Sequence, residues 1–124
     1  MIQRPRVLVV EDDADTLAAM ATILRETDAF SVWVARSGDQ ALEVADEIGF
    51  NADVVVLDID LGPAMRGDQF AEEYRQRAGR PTPFVVVSGL PHARDIARAI
   101  GAALTLPKPF EADELVNAVR LLVS

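Results

Sequence analysis

Two hydrophobic rhythms alternate along this chain. Short, unbroken, valine-rich runs recur at Val7-Leu8-Val9-Val10, Val54-Val55-Val56-Leu57 and Phe84-Val85-Val86-Val87, with a weaker one at Leu104-Thr105-Leu106. Runs this short and β-branched are the pattern of strands buried on both faces of a parallel sheet. Between them, apolar side chains return every third or fourth residue, as on one face of a helix. Leu17, Met20, Ala21 and Leu24 mark a helix over about 15–26; Ala41, Val44, Ala45 and Ile48 mark a second. Leu115, Val116, Val119 and Leu122 mark a last helix over about 112–123.

The remaining elements follow from punctuation. Residues 31–35 alternate more than the other strands, and no acid follows them, so they read as an edge strand that holds Trp33 by packing. Ser37-Gly38-Asp39-Gln40 has capping-box spacing and opens the second helix. The third strand is expected over 53–57, a Gly/Pro-bearing loop over 61–67 and a helix over about 68–77. Pro81 and Pro83 precede the fourth strand, and Pro91 suits the first turn of a helix running to about residue 100. The fifth strand is expected over 103–106. Strand and helix thus alternate five times without a linker, which predicts one α/β domain over 1–124: a doubly wound parallel sheet with right-handed crossovers. With the second strand at an edge, the strand order reverses between the first and third strands.

That reversal matters because open α/β sheets bind ligands outside the carboxyl ends of their strands. Each buried run here stops at a reactive residue: Glu11-Asp12, Asp58, Ser88, and, through Pro107, Lys108. Lys108 is the only lysine; the other positive side chains among the 12 are arginines. Carboxylates about 4 Å apart repel by about 4 kcal/mol at an effective dielectric near 20, so this cluster calls for a cation. An all-oxygen donor set without histidine or cysteine suits Mg²⁺. An ionised aspartate beside Mg²⁺ and a lysine is equipped to attack phosphorus, and Ser88 beside small Gly89 can donate a hydrogen bond to a phosphoryl group. Independent capping of four strand ends would not put these four residue types there in this order.

Composition removes other classes. A net charge of −8 repels phosphate backbones, and no Lys/Arg cluster offsets it, so direct nucleic-acid binding is not expected. The chain has no cysteine, which excludes disulfides and thiolate chemistry. No apolar stretch approaches the roughly 20 residues needed to cross a bilayer, and the short lead into the first strand leaves no room for a signal peptide, so a cytoplasmic location is expected. His92, the single histidine, sits at a helix start and reads as exposed surface.

Taken together, Val9-Val10-Glu11-Asp12-Asp13, Val55-Val56-Leu57-Asp58-Ile59-Asp60, Val86-Val87-Ser88-Gly89 and Leu106-Pro107-Lys108-Pro109-Phe110 resemble the receiver domain of bacterial two-component response regulators, over essentially the whole chain. The resemblance implies a flavodoxin-like (βα)5 fold with strand order 2-1-3-4-5. It implies that Asp58 is the phosphoacceptor, and that Asp12, Asp58 and the main-chain carbonyl of Asp60 ligate Mg²⁺, with Glu11 acting through water. Lys108 is then the site lysine, Ser88 and position 105 the switch pair, and the bond before Pro109 cis. The phosphodonor would be a sensor histidine kinase or phosphotransfer protein, the modified domain a signalling phosphoprotein rather than an enzyme, and the output a protein partner on the surface of helix 4, strand 5 and helix 5. A homodimer stays open. No output domain is expected within 1–124, and a start at Met1 favours a stand-alone regulator.

Three features depart from the family pattern. Thr105 stands where the switch aromatic is usual, the loop after Asp58 is slightly long, and the residue two beyond Asp58 is the acidic Asp60. Two rivals are a haloacid-dehalogenase-like aspartyl phosphohydrolase, suggested by Asp58-Ile59-Asp60, and a receiver-like binding module that is never phosphorylated. The first would carry its motif on the first strand of a longer chain. A flavin binder would need a hydroxyl- or glycine-rich loop where Glu11-Asp12-Asp13 stands.

Overall fold

The computed structural model describes residues 3–62 and 64–123. Met1, Ile2, Pro63 (within the expected 61–67 loop) and Ser124 lie outside the described residues. The elements run β1 (Arg6–Val10), α1 (Ala14–Glu26), β2 (Ser31–Ala35), α2 (Gly38–Glu47), β3 (Val54–Asp58), α3 (Gly67–Arg77), β4 (Phe84–Ser88), α4 (Ala93–Ala99), β5 (Leu104–Pro107) and α5 (Ala112–Val123). All pairings are parallel, in the order β2-β1-β3-β4-β5. This is the expected doubly wound fold, with β2 at an edge and the reversal between β1 and β3.

Strand alternation divides the core in two. Leu8, Val10, Val55, Leu57, Phe84 and Val86 face α2, α3 and α4, where Phe70, Tyr74 and Phe84 pack ring against ring at 5.8–6.3 Å between centroids. Val7, Val9, Val54, Val56, Val85 and Val87 face Leu17, Met20 and Leu24 of α1 and Leu115, Val116 and Val119 of α5. Both faces of the central strands are thus removed from water, which is why those strands read as continuous rather than alternating apolar runs.

Differences from the expected boundaries are informative. Asp58 and Ser88 are the last residues of their strands rather than the first beyond them, so the ladder fixes their backbone. The α4 helix is shorter than expected: Pro91 lies in the preceding turn, and the exposed His92 occupies the cap position without a side-chain bond. At α2, Ser37 caps the amide of Gln40 as predicted, but the Gln40 side chain accepts from the amide of Arg36, one residue earlier than a capping box requires. Trp33 is half-buried on the edge strand, with the Arg6 guanidinium 5.9 Å from its ring.

Candidate functional site

Strand parity decides which side chains meet. Glu11 continues the alternation of Val7 and Val9, Asp58 that of Val54 and Val56, and Lys108 that of Leu104 and Leu106, all toward the α1/α5 side. The register aligns β1, β3, β4 and β5 so that these ends form one crest. Ser88 instead follows Phe84 and Val86, and Thr105 pairs with Val86 on β5, so both belong to the α3/α4 side. The carboxylate–lysine group and the Ser88–Thr105 pair therefore sit on opposite faces of one sheet edge.

At the crest, the Lys108 ammonium donates to Glu11 Oε1 at 2.5 Å and to Asp58 Oδ2 at 3.1 Å. Glu11 is fully buried and Asp58 only 4% exposed, so the ammonium compensates two carboxylates largely withdrawn from water. The second oxygen of each is also held: Glu11 Oε2 accepts from the amide of Asp13, and Asp58 Oδ1 from the amide of Asp60. Burial alone would pull the Lys108 pKa down, but its hydrogen bond to Glu11 and the charge of Asp58 outweigh this and hold it above its ordinary value.

Asp12 is the exposed member of the group. Partial desolvation, a hydrogen bond with Glu11 and the Glu11 charge raise its pKa above the ordinary 3.8. Oxygen atoms of Glu11, Asp12 and Asp58 all lie within 4.8 Å of one another. Lys108 hydrogen-bonds two of the three carboxylates, and its charge only partly offsets the rise at the third. Among the described residues no group donates to the carbonyl of Asp60. This hard-oxygen donor set fits a divalent cation. Asp60 itself is exposed.

Ser88 is 3% exposed; its hydroxyl accepts from the amide of Leu90, and its carbonyl accepts from the amide of Lys108. That second bond ties the serine to the lysine through the backbone. The Lys108–Pro109 bond is cis. Thr105 is half-buried.

Two contributors escaped the sequence reading. Asp13, grouped there with the acidic pair, caps α1: its carboxylate accepts from the amide and the hydroxyl of Thr16, which pull its pKa down. Arg36, at the top of β2, reaches the carbonyl of Asp12 at 3.4 Å, while the carbonyl of Ala35 accepts from the amide of Glu11 at 3.0 Å. The capping signal at Ser37 puts Arg36 at a strand end, but only the β2–β1 register brings it to Asp12.

Comparison with known proteins agrees with this geometry. Residues 7–120 match the family model of the response regulator receiver domain. The chain is 42% identical over 120 residues to the transcriptional regulatory protein CutR of Streptomyces coelicolor, covering 94% of this chain and 52% of that protein. It is 30% identical over 118 residues to the transcriptional regulatory protein CpxR of Klebsiella pneumoniae, covering 95% and 49%. The chain thus spans about half the length of the curated relatives it matches. Among solved structures, the receiver domain of the Francisella response regulator 1452 superposes with a TM-score of 0.82 at 29% identity, covering 97% of both chains.

Proposed function

This chain belongs to the response regulator receiver family, and on that premise we propose that it is a cytoplasmic phosphorelay switch, one receiver unit over its 124 residues, that takes a phosphoryl group onto Asp58. The donor is a phosphohistidine on a sensor kinase or phosphotransfer protein. The observation that carries this reading is the pairing of the buried Asp58 with Lys108 beside Glu11 and Asp12.

In the transfer, a carboxylate oxygen of Asp58 forms a bond to phosphorus as the phosphorus–nitrogen bond of phosphohistidine breaks, and the departing imidazole takes up a proton. Asp12, Asp58 and the carbonyl of Asp60 would hold Mg²⁺, with Glu11 behind a water. When bound, Mg²⁺ supplies charge neutralisation to the phosphoryl oxygens. Lys108 lies within reach of the Asp58 carboxylate and would pair with a phosphoryl oxygen after transfer. Ser88, whose oxygen already accepts from Leu90, keeps its proton available for the same group.

Ser88 and Thr105 lie on the α4 side, so a movement of the serine toward the phosphoryl group would be felt where β5 meets α4. Thr105 has no ring to turn inward, so the readout on the α4/β5/α5 surface would run through repacking around a small hydroxyl residue. A downstream protein, or a second copy of the chain, would read that surface.

The test is intact mass after incubation with acetyl phosphate, with Mg²⁺ or with chelator. One metal-dependent phosphoryl adduct on wild type and none on Asp58→Asn is expected. Labelling of Asp58→Asn at the wild-type rate would sink the assignment. Steady phosphate release without an adduct would favour a hydrolase, and neither adduct nor release a phosphorylation-independent module.

A further inference from the structure

The loop between β3 and α3 carries Asp60 and is closed at its neck. The amide of Gly67 approaches the carbonyl of Ile59 at 3.4 Å, and a Cβ at position 67 would lie 2.7 Å from the Cα of Ile59. Ile59 and Leu61 are buried, and the chain turns back at Gly62 with a φ of 86°. A second anchor lies across the molecule. The half-buried side chain of Met65 rests against Gly38 in the first turn of α2, so closely that a Cβ at position 38 would meet Sδ at 2.6 Å, Cγ at 2.8 Å and Cβ at 3.0 Å.

Gly38 is a helical residue at the start of α2, and its φ is not in the left-handed region, so its backbone does not require glycine. The approach of Met65 leaves room for a Cβ there only if the methionine side chain shifts. The same β2–α2 turn touches the acidic pair from the other side, through the Ala35 carbonyl on the Glu11 amide and Arg36 on the Asp12 carbonyl. One turn therefore contacts both the acidic pair and the loop that carries Asp60.

We infer that Gly38 and Met65 form a latch that sets the β3–α3 loop, and with it the carbonyl of Asp60, at the height needed to bind a divalent cation. Both are positioning residues; neither touches the cation. The inference rests on the reading that Asp60 completes the ligand set. Groups that orient metal ligands typically change metal affinity by about 10–100-fold when altered.

Mg²⁺ titration by calorimetry of wild type, Gly38→Ala, Met65→Ala and the double variant tests it, alongside metal-free unfolding curves that record any loss of stability separately. Each single change is expected to weaken Mg²⁺ by about tenfold. Because both act on one contact, the double variant should bind no worse than the weaker single. Single variants that bind like wild type, or effects that add, overturn the latch. Absence of Mg²⁺ binding by wild type overturns the functional reading itself, a separable result.

Should a variant fail to fold, wild type with isotope-labelled methionine methyls decides. The Met65 signal is expected to move during Mg²⁺ titration with the calorimetric affinity. An unmoved signal, with binding intact, overturns the latch.

Discussion

Lys108 holds one oxygen of each of two buried carboxylates, and the third carboxylate is shifted chiefly by its own partial desolvation. Asp12, left to the solvent side of Glu11, has a raised pKa, so folding favours its protonated form. The sign follows: between its unfolded value near 3.8 and its higher folded value, the native state binds more protons. Metal-free stability therefore declines as pH rises through the folded pKa. Asp12→Asn should stabilise the metal-free protein at neutral pH, flatten that decline and weaken Mg²⁺ binding. Urea curves from pH 4 to 8 with and without Mg²⁺ check this; an unchanged or lower neutral-pH midpoint for the variant would contradict it. The candidate site residues were legible because chemistry-bearing types follow buried runs. The Lys108–Glu11 pair was not, since the two are 97 positions apart and only the register joins them.

Helix α2 shows how much a local signal can carry. Ser37 caps the Gln40 amide at 3.1 Å, and its neighbours deliver Arg36 to Asp12 and Gly38 to Met65. Ser37→Ala removes one capped amide and should cost about 1 kcal/mol in a urea unfolding experiment, the usual worth of an N-cap. A stability equal to that of the unvaried protein within error would mean that water replaces the cap. Apolar periodicity was readable for α1, α2 and α5 because those helices bury a clear stripe, whereas a cap was readable only for α2. The start of α4 was misread. Pro91 is equally suited to a first helical turn and to the turn before it, and the seven-residue helix offers little periodicity to decide.

The whole molecule is two apolar layers on a sheet whose upper edge concentrates negative charge. No helix among the described residues is long and apolar enough to cross a membrane. On the proposed reading, a cation bound only by the folded chain should stabilise it. At a hundredfold excess over Kd, Mg²⁺ would add about 2.7 kcal/mol by mass action, and this increment should vanish in Asp58→Asn. A denaturation midpoint indifferent to Mg²⁺ would argue against the site. The order of β-branched runs, helical stripes and turn residues determined the five strands, the five helices and the edge position of β2, because burial on two faces or one leaves a periodicity and Gly/Pro/Ser signals mark where it breaks. The set of reactive residues was equally explicit. Which of them touch was decided only by tertiary structure. Parallel register brought Glu11, Asp58 and Lys108 to one side of the crest and put Ser88 and Thr105 on the other. The contact between Gly38 and Met65 leaves no trace in either rhythm, because a close approach between distant segments has no period.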